Sequence, residues 1–240
     1  MNSSFSPHPS SFLFDYPDNA AFGRVLPKSK IYEHAKPGAA IKRLFVQQVD
    51  KIVWQYKLSP ETINVPRTRA VLEIQIFSID LKDGKLKQDV LRCIDKAIPF
   101  PILFEVRHGD ETKTAAAYKR TSEADSSKWV ISEYFESRWF PGDTVRAPLP
   151  MSLDLEALYT KLLNPLMPFP ARKGESLQEH VTRMELIQSK QREIENCESR
   201  LVKEKQFNRK VEINTELRIM RQELDSLIRP LPVSKSAMSH

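Results

Sequence analysis

The chain has 240 residues, 40% of them hydrophobic and 28% charged, a balance that supplies a folded core and excludes wholesale disorder. The formal net charge of +6 and pI of about 9.2 permit contact with nucleic acid or acidic proteins without demanding it. The longest apolar runs fall far short of a membrane span, and Cys93 and Cys197 lie far apart with no CxxC, so a cytoplasmic chain with free thiols and no membrane partner is expected.

Residues 1–23 are rich in Ser and Pro and lack a basic segment followed by an apolar stretch. They read as a poorly ordered N-terminal segment, not a secretory signal, with Phe12, Leu13 and Phe14 available for docking. An α+β domain is placed at 24–163. Its first strong period runs from Ala39 to Tyr56, where Ile41, Leu44, Phe45, Val49, Ile52 and Tyr56 recur at helical spacing. The Ser59-Pro60 step stops that helix. From Thr68 to Leu81 the β-branched content rises, and the apolar parity switches from Leu72, Ile74 and Ile76 to Phe77, Ile79 and Leu81. Such a strand is buried on both sides or bulged. Leu86, Val90, Ile94, Ala97 and Ile98 mark a second helix, closed by Pro99.

Pro101 to Arg107 reads as a strand, His108-Gly109-Asp110 as a hairpin turn, and Thr112 to Arg120 as the returning strand. A polar loop over Thr121 to Ser127 precedes a fourth strand, Lys128 to Phe135, and an amphipathic helix follows around Leu155, Leu158, Tyr159 and Leu162. The fold class is therefore α+β. A parallel strand–helix–strand crossover and an antiparallel meander make a mixed four-stranded sheet covered by helices.

Residues 164–175 carry prolines and a glycine and are read as a linker. A long helical, coiled-coil-like arm follows over 176–228, with a tail at 229–240. In the arm, Ile187, Ile194 and Leu201 are spaced by sevens, and Ile213, Leu217, Met220, Leu224 and Leu227 follow four-three spacing. Between them, Lys203 to Lys210 offers only Phe207 as an apolar residue, and the heptad phase slips. A continuous helix with a stutter is the reading adopted, against an antiparallel hairpin, because no strong breaker occurs there. The stripe from Ile213 to Leu227 needs a cover: the chain's own domain, a second copy or another protein.

Known catalytic signatures are lacking. The glycines form neither GxGxxG nor a Walker loop, the scattered histidines form no HExxH, and no GxSxG occurs, so no cofactor and no metal is expected. Asp80 followed by Glu105-Val106-Arg107 weakly echoes metal-dependent nucleases, but arginine is a poor general base where lysine is expected. That reading requires Asp80, Glu105 and a lysine such as Lys119 to converge. Two basic runs hold much of the positive excess. One spans Arg24 to Lys57; the other comprises Arg200, Lys203, Lys205, Arg209 and Lys210, opposed by Glu204 alone. Either has the charge to neutralise phosphates, and a solvated charged face is the plainer alternative.

The phrases Leu26-Pro27-Lys28, Ile52-Val53-Trp54-Gln55-Tyr56-Lys57-Leu58-Ser59-Pro60-Glu61-Thr62-Ile63-Asn64 and Pro99-Phe100-Pro101-Ile102-Leu103-Phe104 resemble an uncharacterised bacterial family, domain of unknown function 4391. Ala117-Tyr118-Lys119, Phe135-Glu136-Ser137-Arg138-Trp139 and Glu204 through Asn214 continue the resemblance, which spans roughly Val25 to Leu227. It implies no catalytic residues. It implies an accessory part of a bacterial restriction-modification or phage-defence system, with a methyltransferase or helicase as protein partner. On these grounds Lys203, Lys205, Arg209 and Lys210 are candidates for DNA contact. Gln206, Phe207 and Asn208, with Ile213, Leu217, Met220, Leu224 and Leu227, are candidates for partner contact. The expected role is a non-catalytic assembly subunit. A divalent-metal nuclease and a self-associating structural protein are the alternatives.

Overall fold

A computed structural model describes residues 12–125 and 128–229. The chain divides into two compact units, Met1–Met167 and Pro168–His240. In the first, the strands are β1 (Phe14–Asp15), β2 (Ala21–Val25), β3 (Val49–Leu58), β4 (Ile74–Leu81), β5 (Ile102–His108), β6 (Glu111–Thr121), β7 (Trp129–Glu136), β8 (Phe140–Pro141) and β9 (Ala147–Pro148). Its helices are α1 (Lys28–Ala35), α2 (Ala39–Gln48), α3 (Pro60–Ile63), α4 (Gln88–Ala97) and α5 (Leu155–Leu163). The second unit holds α6 (Leu177–Lys203) and α7 (Phe207–Ile228).

The α+β class and the mixed sheet hold, but the sheet has seven strands where four are expected from the pattern. Its order is β2-β3-β4-β5-β6-β7, with β8 also on β6, while β1 and β9 form a separate parallel pair. The parallel step is β4 to β5 across α4, and β5, β6 and β7 form the antiparallel meander. Gly109 takes the positive φ of 56° that the tight β5–β6 turn needs.

The largest correction lies in the expected helix from Ala39 to Tyr56. It ends at Gln48, and Val49 opens the ten-residue strand β3, hydrogen-bonded between β2 and β4. Val49, Ile52 and Val53 are β-branched and Trp54 and Tyr56 aromatic, so this stretch suits a strand with neighbours on both sides. The Lys28 ammonium fixes the switch point, donating to the carbonyls of Phe45 (3.2 Å) and Val49 (2.6 Å).

The expected disorder of 1–23 is also corrected from Phe12 onward; residues 1–11, like the expected tail beyond Arg229, lie outside the described residues. The hydroxyl of Thr114 donates to the Phe12 carbonyl at 2.7 Å, Arg146 to that of Phe14 at 2.9 Å, and Leu13, Phe14 and Tyr16 are buried. β2 carries a register shift between Ala21 and Arg24, where Gly23 sits at φ 62°.

One face of the sheet packs Phe77, Ile79, Phe104 and Val106 against Ile31, Phe45, Leu91 and Ile94 of α1, α2 and α4. On the other face α5 repairs a fault in β6. The β6–β7 register shifts between Ala117 and Lys119. There the Tyr159 hydroxyl donates to the Ala117 carbonyl (2.6 Å) and accepts from the Lys119 N–H (3.1 Å), satisfying groups the ladder does not use.

In the second unit the expectation of one continuous arm fails. α6 and α7 form an antiparallel pair whose core is Ile194, Cys197, Ile213 and Leu217, with Leu201, Met220 and Leu224 packed at its edge. No proline or glycine makes the break. The Glu204 carboxylate turns back onto the next N–H groups, those of Lys205 (2.7 Å) and Gln206 (2.8 Å), a local alternative to helical continuation. Folding back removes the apolar stripes of both helices from water, which a straight helix cannot do alone. Of the segment expected as a linker, 164–175, the first four residues belong to the sheet unit and the part from Pro168 onward is fastened to this second unit. Arg183 holds Glu175 at 2.6 and 2.8 Å and the Pro170 carbonyl at 2.8 Å, and His180 Nε2 donates to the Phe169 carbonyl at 2.7 Å. Arg172 closes the far end, donating to the carbonyls of Ser226, Leu227 and Arg229.

Candidate nucleic-acid interface

The turn between α6 and α7 gathers the basic residues singled out in the sequence. Lys203 ends α6, Lys205 lies in the turn, and Arg209 and Lys210 stand in the first turn of α7; all four are exposed. Arg200, one helical turn before Lys203, adds a further cation and reaches Glu216 at 3.6 Å. Within Arg200–Lys210 the single acid is Glu204. Its carboxyl is held below the usual range by the N–H groups of Gln206 and Lys205, so it stays charged while facing its own backbone. The first turn of α7 contains no acidic side chain, so the positive end of its dipole reinforces the field. A polar concavity of about 470 Å³ lies beside the turn, walled by Arg200, Lys203 and Arg209 and by Glu204, Glu212 and Glu216. Charges inside it are matched. Lys205 and Lys210 are not among its lining residues.

The candidate partner-contact residues separate into two groups. Gln206, Phe207 and Asn208 are exposed at the turn, Phe207 to 78%. Ile213 and Leu217 are buried against α6, and Met220, Leu224 and Leu227 are half-buried. The cover that the stripe requires is therefore the preceding helix, and in this arrangement its centre is not offered to another chain. The basic run Arg24–Lys57 does not gather into one site: it is spread along β2, α1, α2 and β3, with Lys28 bound to carbonyls and Lys57 paired with Glu73 at 2.9 Å.

Asp80, Glu105 and Lys119 do not converge. Ser78 pairs with Glu105 and Asp80 with Arg107 across β4 and β5, which puts Asp80 and Glu105 on one face. Glu105 is gripped there by both guanidinium nitrogens of Arg146, at 2.6 and 2.9 Å, and by Arg107 at 3.3 Å. Lys119 serves the opposite face. Its ammonium is fully buried and donates to the carbonyls of Asp95 and Ile98 at the end of α4, with the Asp95 carboxylate at 3.5 Å. Tyr134 donates to the other oxygen of Asp95. Burial lifts Asp95 to about 6 and lowers the Lys119 pKa, while each partner's charge pulls the other back. This group ties the end of α4 to the sheet, and no solvent reaches the ammonium. Sequence reasoning missed it; the one legible signal is a lysine set directly after the apolar run Ala115-Ala116-Ala117-Tyr118.

Among the described residues no helix is long and apolar enough to cross a membrane. Residues 14–224 match the profile of a family described as Domain of unknown function (DUF4391). No curated protein and no solved structure matches the chain.

Proposed function

The chain belongs to the DUF4391 family, and from the site itself we propose that it is a non-catalytic accessory subunit that contacts DNA through the turn between α6 and α7. The observation that carries this is the exposure of Lys203, Lys205, Arg209 and Lys210 around one turn, with Phe207 uncovered among them. Ammonium and guanidinium groups so placed neutralise phosphates whatever the base sequence, and an exposed ring beside them adds a surface for stacking or for protein contact. Gln206, Phe207 and Asn208 supply the contact to a protein partner. The setting implied by the family resemblance, a bacterial restriction-modification or phage-defence assembly with a methyltransferase or helicase, belongs to the same proposal.

The test is the salt dependence of binding to a short labelled duplex. Affinity is expected to be weak, indifferent to sequence, and to fall steeply between about 50 and 200 mM salt. Replacing Lys203, Lys205, Arg209 and Lys210 together by Ala is expected to flatten the log–log slope by up to about 0.9 for each phosphate no longer neutralised. Binding that ignores salt, or a slope unchanged in the quadruple variant, contradicts the proposal.

A further inference from the structure

A cavity of about 350 Å³ opens on the sheet face that carries α1 and α4, wholly within the first unit. Its interior is largely apolar. Trp54, Phe77 and Phe100 contribute three aromatic rings, and Ile31 and Ile98 add aliphatic surface. The polar side chains of that interior serve the protein: Gln75 Nε2 donates to Glu73 at 2.8 Å, and the Trp54 indole donates to the Tyr56 carbonyl at 3.2 Å. The lip is basic. Lys30 and His34 stand four residues apart on α1, both exposed and both lining the cavity. Among the described residues no carboxylate lines it.

Lys30 is open to a new partner. Its ammonium meets Glu33 at 2.9 Å, but the two side chains are 61% and 56% exposed, and Glu33 is not part of the cavity lining. A pair so exposed is weak and exchanges for another carboxylate at little cost. His34 offers a ring N–H in either tautomer. The wall opposite α1 is held without a ligand: Lys119 donates to the carbonyls of Asp95 and Ile98, and Pro99 and Pro101 restrict the backbone on either side of Phe100. The volume falls at the small end of the range for small-molecule sites, about 300–1,000 Å³. An apolar interior behind a basic lip complements a molecule that is apolar at one end and anionic at the other, because the charge stays in water beside its counter-ions while the body is desolvated. The three rings favour a flat body.

We propose that this cavity binds a small aromatic carboxylate, with its rings among Trp54, Phe77 and Phe100 and its carboxylate at the lip beside Lys30 and His34. Burial of the rings supplies the affinity, and the two basic groups supply the preference for an anion. The site is independent of the α6–α7 turn, and its failure leaves the DNA proposal untouched.

The probe pair is naphthoate and acetylnaphthalene, which share a ring system and shape but differ in carrying a carboxylate or a neutral ketone. Titration of the full-length chain by calorimetry or ligand-observed NMR at low salt is expected to show saturable binding of naphthoate, about fivefold tighter than acetylnaphthalene. Lys30→Gln with His34→Gln, both at exposed positions, is expected to bring the two affinities together. Glu33→Gln releases Lys30 and is expected to tighten naphthoate alone. Ala97→Leu, which adds bulk to the cavity wall, is expected to weaken both probes. Where Ala97→Leu does not fold, the wild-type comparison and the two exposed variants still decide. Equal binding of the probes to wild type, no saturable binding of either, a preference that survives loss of both basic groups, or weaker naphthoate binding in Glu33→Gln overturns the proposal. So do affinities unchanged in a folded Ala97→Leu.

Discussion

The two units use charge in opposite ways. The sheet unit turns ionic groups inward: the Lys119 ammonium has no exposed side-chain surface and Asp95 has 2%, and Glu105, exposed to 3%, is clamped by Arg146. The helical unit turns most of its charge outward. Lys190–Glu223 at 2.9 Å and Arg221–Glu198 at 2.7 Å join its helices across the surface, beside a small core that includes Ile194, Cys197, Ile213 and Leu217. Buried charges fix geometry because an unpaired one is intolerable. Exposed charges hold little structure and remain available for contact. The difference places the buried ionic ties in the sheet and leaves exposed charge at the α6–α7 turn, where the DNA contact is proposed.

The largest expected effect comes from breaking the inward set. Lys119→Met leaves the carbonyls at the end of α4 without their donor and Asp95 without its cation, and is expected to destabilise the sheet unit by about 3–5 kcal/mol. Denaturant unfolding followed by circular dichroism measures this. A loss below about 1 kcal/mol, the level of a surface pair, would erase the contrast. Next in size, Leu217→Ala opens the small helical core and is expected to cost about 2–3 kcal/mol there. Leu217→Asp with Leu224→Asp is expected to separate α6 from α7 while the sheet remains folded, read as new protease cuts after Pro168. Loss of the sheet's signal in that variant would show that the units do not fold apart.

Acid separates the units further, because their leading carboxyls shift in opposite directions. Burial raises Asp95 to about 6, so the folded sheet holds that proton more tightly than the unfolded chain. Its contribution is fullest below the unfolded value, about pH 4, and is lost as pH rises through about 6. The hydrogen bonds of Arg183 lower Glu175 to about 2, so its contribution is present above about pH 4.5 and is lost as pH falls through about 2. Stability–pH curves of Asp95→Asn and Glu175→Gln, each subtracted from wild type, are expected to slope in opposite senses. Parallel difference curves would contradict the two assignments. The smallest effect is expected at the surface: Lys190→Ala removes its contacts to Glu193 and Glu223 and is expected to leave the unfolding midpoint almost unchanged.

What the sequence made legible follows the same division. The β4–α4–β5 crossover and the turn at Gly109 show in the pattern because each rests on local signals, β-branched alternation and a residue suited to positive φ. β3 is hidden because Val49, Ile52 and Tyr56 happen to continue the helical spacing begun by Ile41 and Phe45. Only their β-branched and aromatic character points to a strand, and pairing on both edges decides it. The break at Glu204 has no proline or glycine to announce it and depends on one side chain folding onto two N–H groups. The basic residues of the turn are legible as composition, but the stripe from Ile213 to Leu227 reads as an open surface until α6 is seen to cover it. Lys119–Asp95 is a product of tertiary packing, with its residues 24 apart in sequence and no spacing rule to find them.

The central claim is that the α6–α7 turn is the surface that meets DNA, and amide hydrogen exchange with and without a saturating short duplex at low salt tests it most directly. Added protection is expected to be confined to the end of α6, the turn and the start of α7, about Arg200 to Val211, and to disappear as salt is raised. Protection centred on the sheet unit, or none at the turn while the duplex is bound, would contradict it.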